Sequence, residues 1–279
     1  MNTRNVFLIM RKEAGESLRN RWFLIYTICF SALALLVLMF STMGGNIAGF
    51  SGFGRTAASI INLVLLFIPL IAVITGGLSI SQERENGTLT YLLSHPIDKN
   101  EVFLGKFLGL LITIWFSILL GFGIAGAGVA IMGNQGEISG YLITVLLSVM
   151  LAAIFLSIGF MVSVYSRKAS KAIGISVFLW LFFIILGDLG IMGTTVVMGL
   201  GIKQVFILAL LNPAEVFKIA SVLVLSPRFE ILGPVGIYAV RTFGQQGVFY
   251  LLFSIMILWA LIPLGYAYLA FTRFRKEEI

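Results

Sequence analysis

Residues 81–107 read SQERENGTLTYLLSHPIDKNEVFLGKF. This is the longest charged interruption in a chain that is otherwise close to continuous hydrocarbon. It parses into three pieces. Residues 81–86 prolong an apolar run and add Glu83, Arg84 and Glu85. Gly87 permits a break, and Thr88 is suited to cap a short helix over 89–95. Leu89, Leu92 and Leu93 stand at i, i+3 and i+4, so they share one face of that helix. Pro96 ends it and pushes His95 toward extended backbone. Asp98 and Glu101 then make a D-x-x-E variant of the capping box for a second helix, which carries Lys106 straight into the next apolar run.

The 279 residues are 59% hydrophobic and only 11% charged, with a mean hydropathy of +1.05. Soluble domains run near ~25% charged. A chain this apolar has too little polar surface to cover itself, so lipid is its solvent. The net charge of +7 does not point to nucleic acid, because the basic residues flank apolar runs and are not gathered on a soluble face. One cysteine, Cys29, and one histidine, His95, exclude an internal disulfide and a Cys/His metal set at structural spacing. No metal or cofactor is expected in this chain. No GxxxxGK[ST] occurs either: Gly105-Lys106 has Asn100 where the first glycine belongs. Any ATPase associated with it is therefore another polypeptide.

A spanning helix needs about 20 mostly apolar residues. Six stretches qualify: 22–43, 57–80, 107–132, 140–165, 172–189 and 248–271. The expectation is a single all-α integral membrane domain over 1–279, in the cell membrane. Residues 1–21 precede the first span with mixed charge and no small-residue cleavage site, so that span is expected to stay in the membrane. Both termini are expected to be cytoplasmic. This places fourteen of the 19 basic residues inside, including Arg167, Lys168 and Lys171, and leaves the short loop 133–137 outside without a base. Residues 190–247 form the largest outer segment.

The loop 81–106 then lies on the inner side. Its short helix fits two physical readings, an interfacial helix resting on headgroups or a plug whose apolar face enters a groove on a partner. Residue chemistry alone does not separate them. In the N-terminal segment, Phe7, Met10, Ala14, Leu18 and Trp22 fall at helical spacing with Arg11, Lys12, Glu13, Glu16 and Arg19 on other faces. That pattern suits an amphipathic interfacial helix.

These residues resemble the permease subunits of ABC-2 type transporters. The likeness rests on RKE…LRNRWF at 11–23 and on EREnGTLtyLLshPidkneVflGKf at 83–107, with six spans in matching order. It implies that the loop is a coupling helix docking into a cleft on a separate ATPase subunit, which binds ATP and Mg. The coupling residues it implies are Glu83, Arg84, Glu85, Gly87, Thr88, Leu89, Leu92, Leu93, Pro96 and Lys106. It also implies two copies of that ATPase and a second copy of this chain. LLNPAEVFKIA at 210–220 is similar to the permeases of nitrous oxide reductase maturation systems, which implies an extracytoplasmic accessory protein. Export of a lipid, peptide or drug, and an ATP-independent channel or transporter, are the alternatives.

Other candidates are read against simpler roles. GFGIAG at 121–126 is literally GxGxxG, but it follows no strand, so its glycines are packing residues. Gly105 and Gly109 make a GxxxG packing face. Asn62 and Asp188 are the polar groups that could line a path; interhelical packing and a hydrated outer acid are the competing readings. Lys203, Lys218, Arg228 and Arg241 are candidate contacts for the extracytoplasmic partner, against plain solvated loop charges.

Overall fold

The computed structural model describes residues 2–43, 52–94, 96–132, 135–187, 189–190, 200–225 and 233–273. Among them there is helix and no strand. The helices are α1 (Thr3–Arg19), α2 (Arg21–Met43), α3 (Gly52–Glu85), α4 (Thr88–Ser94), α5 (Lys99–Met132) and α6 (Gln135–Tyr165). They continue with α7 (Ala169–Leu181), α8 (Ile202–Leu210), α9 (Pro213–Leu225) and α10 (Gly233–Arg273), the last kinked at Gly244, where φ is +70°. A π-helical turn, Phe182–Leu186, prolongs α7.

Among the described residues, four helices are long and apolar enough to cross a bilayer, or up to six if each of two bent pairs is one span. One bent pair is α1 with α2, turned through 69°. The other is α8 with α9, turned through 110°. This second pair lies within the segment 190–247 that the sequence expects to be the largest outer segment. It is apolar and one side of it is buried: Phe206, Val216, Phe217 and Ala220 join the core. The helix at 169–185 is shorter than the others.

Helix α6 is the centre, packed against α3, α5, α9 and α10. Its crossing with α3 brings backbone close to backbone. A side-chain carbon on Gly76 would lie 2.6 Å from the Leu156 carbonyl, and one on Gly159 would lie 2.5 Å from that of Val73. In lipid, apolar burial gives little drive for helices to associate, so small residues that let backbones meet supply the packing. Phe103 completes the junction from α5, 5.4 Å from Phe160, 5.6 Å from Tyr268 and 5.7 Å from Phe271 between ring centres. These edge-on and tilted rings join α5, α6 and α10 directly beneath the charged loop.

Helix α3 has 34 residues, about 50 Å at 1.5 Å per residue. That exceeds the roughly 30 Å of hydrocarbon. Its last turn, with Glu83, Arg84 and Glu85, is thereby carried out of the apolar layer. Pro69 lies within this helix, which continues through it.

Candidate functional site

Three successive charges at the end of α3 point about 100° apart, and each finds a different helix. Glu83 Oε1 lies 2.8 Å from Lys106 Nζ. Lys106 is 2% exposed and also meets Glu13 Oε2 of α1 at 3.0 Å. Arg84 Nη1 donates to the carbonyls of Val164, at 3.0 Å, and Ser166, at 3.3 Å. Those are terminal carbonyls of α6, where a cation is favoured. Glu85 Oε2 accepts from the Ala169 N–H at 2.7 Å. That N–H opens α7, where an anion is favoured. One tripeptide therefore ties α3 to α1, α5, α6 and α7. Because Glu85 is exposed, Glu85→Ala is expected to cost only about 1 kcal/mol in a melting experiment, and salt should shrink the difference.

Gly105 and Lys106 act as a pair. A side-chain carbon on Gly105 would meet Ile9 at 2.8 Å, and one on Gly109 would meet the Met10 carbonyl at 2.7 Å. The GxxxG face thus seats α1 on the first turns of α5, which brings Glu13 to Lys106. At the start of α5 the Asp98 N–H donates to Glu101 Oε2 at 3.4 Å, one arm of the expected capping box. The same carboxylate accepts from Asn5 Nδ2 at 2.8 Å and from the Asn2 N–H. Glu101 therefore holds both ends of the junction between α1 and the loop.

The short helix exists as α4, with two corrections. Thr88 is its first residue, not its cap, and the Thr88 hydroxyl donates back to the Glu83 carbonyl. Gly87, at φ +71°, ends α3, and its carbonyl accepts from the Tyr91 N–H. Only a residue at ease with positive φ makes that turn. The second correction concerns the leucines. Leu89 and Leu93 are buried, at 0% and 9% exposed, while Tyr91 is 72% exposed. A stripe read from spacing as facing a partner is turned into this chain's own core, and Thr88, Thr90, Tyr91 and Ser94 form the outward side with part of Leu92. Pro96 is exposed. His95 lies outside the described residues.

Beside α4 a cleft of about 420 Å³ opens between α1, α3 and α5. Glu13, Ser79, Gln82, Glu83, Thr88 and Lys106 are among its walls. Deeper along α3, Ser163 Oγ of α6 accepts from the N–H groups of both Ile80 and Ser81 at 2.8 Å. The hydroxyls of Ser79 and Ser81 donate to the carbonyls of Gly76 and Gly77. Those carbonyls are the i−4 partners of residues 80 and 81, so this stretch of α3 is cross-linked to α6 by polar contacts as well as by close packing. Glu13, Asn5 and Ser163 were not singled out in the sequence. Glu13 alone had a visible signal, an acid on a helix otherwise suited to lie in an interface.

The remaining candidates are dispersed. Asn62 is exposed on α3 and points away from the core. Lys203 and Arg241 are exposed on α8 and α10, and Lys218 of α9 pairs with Glu215 at 3.4 Å. Asp188 and Arg228 lie outside the described residues. Asn212 has a defined role: its Oδ1 accepts from the Ala214 N–H at 2.9 Å, capping α9 ahead of Pro213. Its Nδ2 donates to the Phe183 carbonyl at 2.7 Å, inside the π turn. The NPAE segment therefore fastens the α8–α9 hairpin to the end of α7. Of the GFGIAG glycines, Gly121 packs against Phe30 and Gly123 meets nothing within 4 Å.

Comparison with known proteins agrees with this architecture. Residues 7–278 match the family described as ABC-2 family transporter protein. A probable ABC transporter permease protein NosY of Pseudomonas aeruginosa is 31% identical over 228 residues, covering 77% of this chain and 81% of that protein. The NosY protein of Stutzerimonas stutzeri, described in the same words, is 29% identical over 223 residues, covering 77% of this chain and 80% of its own length. The chain, a multi-pass helical membrane protein, belongs to the ABC-2 family of transporter proteins.

Proposed function

We propose that this permease couples ATP hydrolysis on a separate ATPase subunit to movement of its own helices, and that α4 is the element the ATPase pushes. The observation that carries the reading is the hub at Glu83, Arg84 and Glu85. A force on α4 enters α3 through the Gly87 turn and reaches α1, α5, α6 and α7 through four sets of polar contacts. The exposed Thr88–Thr90–Tyr91–Ser94 side of α4 and the neighbouring cleft are the surface offered to the partner. The complex would hold two copies of this chain and two ATPases. It would have the loop and both termini in the cytoplasm, as the distribution of basic residues supports. ATP and Mg belong to the ATPase. Service to nitrous oxide reductase maturation, with an accessory protein outside the cytoplasm, is the narrower reading, supported by LLNPAEVFKIA.

Two experiments test this. Purification of the tagged chain from its native membranes is expected to bring a P-loop ATPase with it; a well-folded chain that repeatedly emerges alone would count against the coupling role. In the reconstituted complex, Tyr91→Asp is expected to reduce permease-dependent ATPase stimulation by about tenfold, the scale of one lost interfacial anchor, with the melting temperature unchanged because Tyr91 is exposed. Stimulation equal to the parent protein would remove α4 from the interface. Leu93→Asp is not a comparable probe, since it places a charge in the core.

A further inference from the structure

A second groove lies on the other side of the hub, where α6 ends and α7 begins. It encloses about 290 Å³ and is lined by Met161, Val162, Tyr165, Ser166, Lys171, Ile175 and Leu179. Its two ends differ in chemistry. Met161, Val162, Ile175 and Leu179 form an apolar trough that runs into the depth of the spanning helices. Along α7, Lys171, Ile175 and Leu179 follow at four-residue steps on one face, a track of about 12 Å. The mouth holds Lys171, with Arg167 and Lys168 beside it in the same short loop, all three exposed. One carboxylate is near, Glu85, and it is already engaged at the Ala169 N–H.

Ser166 supplies an independent observation. The residue is 1% exposed, it lines the groove, and its Oγ has no hydrogen-bond partner. The carbonyls at the end of α6 do not serve it, since those of Val164 and Ser166 take the Arg84 guanidinium. A buried hydroxyl left without a partner costs about 1–3 kcal/mol, so an acceptor is owed here. The charge at the mouth is mainly positive, since the nearby Glu85 carboxylate is engaged at the Ala169 N–H. An occupant complementary to this lining brings acceptor oxygens and negative charge at one end and an apolar chain at the other.

We propose that this groove binds an anionic phospholipid from the leaflet on the side of the 166–171 loop. One acyl chain lies along Met161, Val162, Ile175 and Leu179. The phosphate accepts from Ser166 Oγ and from the Lys171 ammonium. A zwitterionic lipid offers the same phosphate but sets a quaternary ammonium among Arg167, Lys168 and Lys171, where like charges repel. A second copy of this chain placed here by a two-fold axis would set the same basic cluster against itself, so lipid is the occupant the charges favour. Basic pockets between helices at a membrane boundary hold anionic headgroups in this manner.

The test uses the full chain with whatever subunits accompany it, stripped of native lipid in detergent. Equal amounts of palmitoyl-oleoyl phosphatidylglycerol and palmitoyl-oleoyl phosphatidylcholine are added, and bound lipid is counted by native mass spectrometry. Phosphatidylglycerol is expected to be retained preferentially. Lys171→Ala should reduce its retention about fivefold, and Met161→Trp, which fills the trough, should abolish it. Lys203→Ala, on α8, should change nothing. A phosphatidylglycerol carrying a photoreactive group in its acyl chain should label residues 161–179 of the unmodified protein, a readout that needs no variant to fold. Equal retention of the two lipids, or labelling confined to other helices, overturns the proposal. So does a disulfide between copies formed by Ile175→Cys in a Cys29→Ser background, which would show the groove closed by a second chain.

Discussion

Replacing Lys106 with methionine is expected to lower stability by about 3–5 kcal/mol, the largest loss among single charge removals in this protein. Lys106 is 2% exposed and stands between Glu83 and Glu13, which are 19% and 12% exposed. Without the ammonium, two mostly buried carboxylates face each other with no cation, and the loss exceeds that of the pair itself. Thermal melting of the purified protein in detergent would read the change. The triple variant Lys106→Met, Glu13→Gln, Glu83→Gln is expected to recover most of it, because a buried ion cluster replaced by neutral groups is often close to neutral in stability. A Lys106→Met protein as stable as its parent would mean that the cluster is solvated and holds α1, α3 and α5 together only weakly. The mechanical reading of the hub would then lose its main strut.

The second large effect is expected at the crossing of α3 and α6. A side-chain carbon on Gly159 would lie 2.5 Å from the Val73 carbonyl, 2.9 Å from Gly76 Cα and 2.9 Å from the Gly77 nitrogen. All three neighbours are backbone, so no rotamer change makes room and the helices must part. Gly159→Ala is expected to cost about 1–3 kcal/mol. Gly159→Val should leave little folded protein, judged by a monodisperse peak in size-exclusion chromatography. Gly123→Ala and Gly265→Ala are the controls. Nothing lies within 4 Å of a side-chain carbon at either position, and alanine is favoured over glycine within a helix by about 1 kcal/mol. If Gly159→Ala behaves like these controls, the α3–α6 contact is looser than its geometry, and force applied at α4 need not pass to α6.

The two sites answer a common mechanical need. On the proposed coupling, a push on one short helix would have to reach several spans without bending the first of them. Polar contacts at the α3 terminus would distribute that push, and the close α3–α6 crossing, braced by Ser163, holds α3 and α6 together below it. The α8–α9 hairpin, tied to α7 through Asn212, extends the same connection toward the opposite end of the molecule.

Much of this was written in local signals. Apolar runs of bilayer length set the helical membrane class, because the backbone in lipid has to satisfy itself within helices. Gly87 and Pro96 bounded the short helix, since one adopts positive φ and the other cannot continue a helix. The paired motifs at 11–23 and 83–107 pointed to the family. These features depend on residues close in sequence, so the sequence by itself determined them. Only the tertiary structure decided which way each face turned. The spacing of Leu89, Leu92 and Leu93 defines a stripe, yet a stripe has no direction until α3 and α5 are in place; their packing turns it inward and leaves Tyr91 outside. Residues 202–225 offered an Asn212–Pro213 stop followed by an amphipathic helix, but only the tertiary structure shows that the stop turns α8 against α9 through 110° and packs Phe206, Phe217 and Ala220 into the core. Glu13 and Lys106 lie 93 positions apart, and their meeting depends on Gly105 and Gly109 letting α1 approach. Long-range partners of this kind are set by the packing of whole helices, which no local pattern encodes.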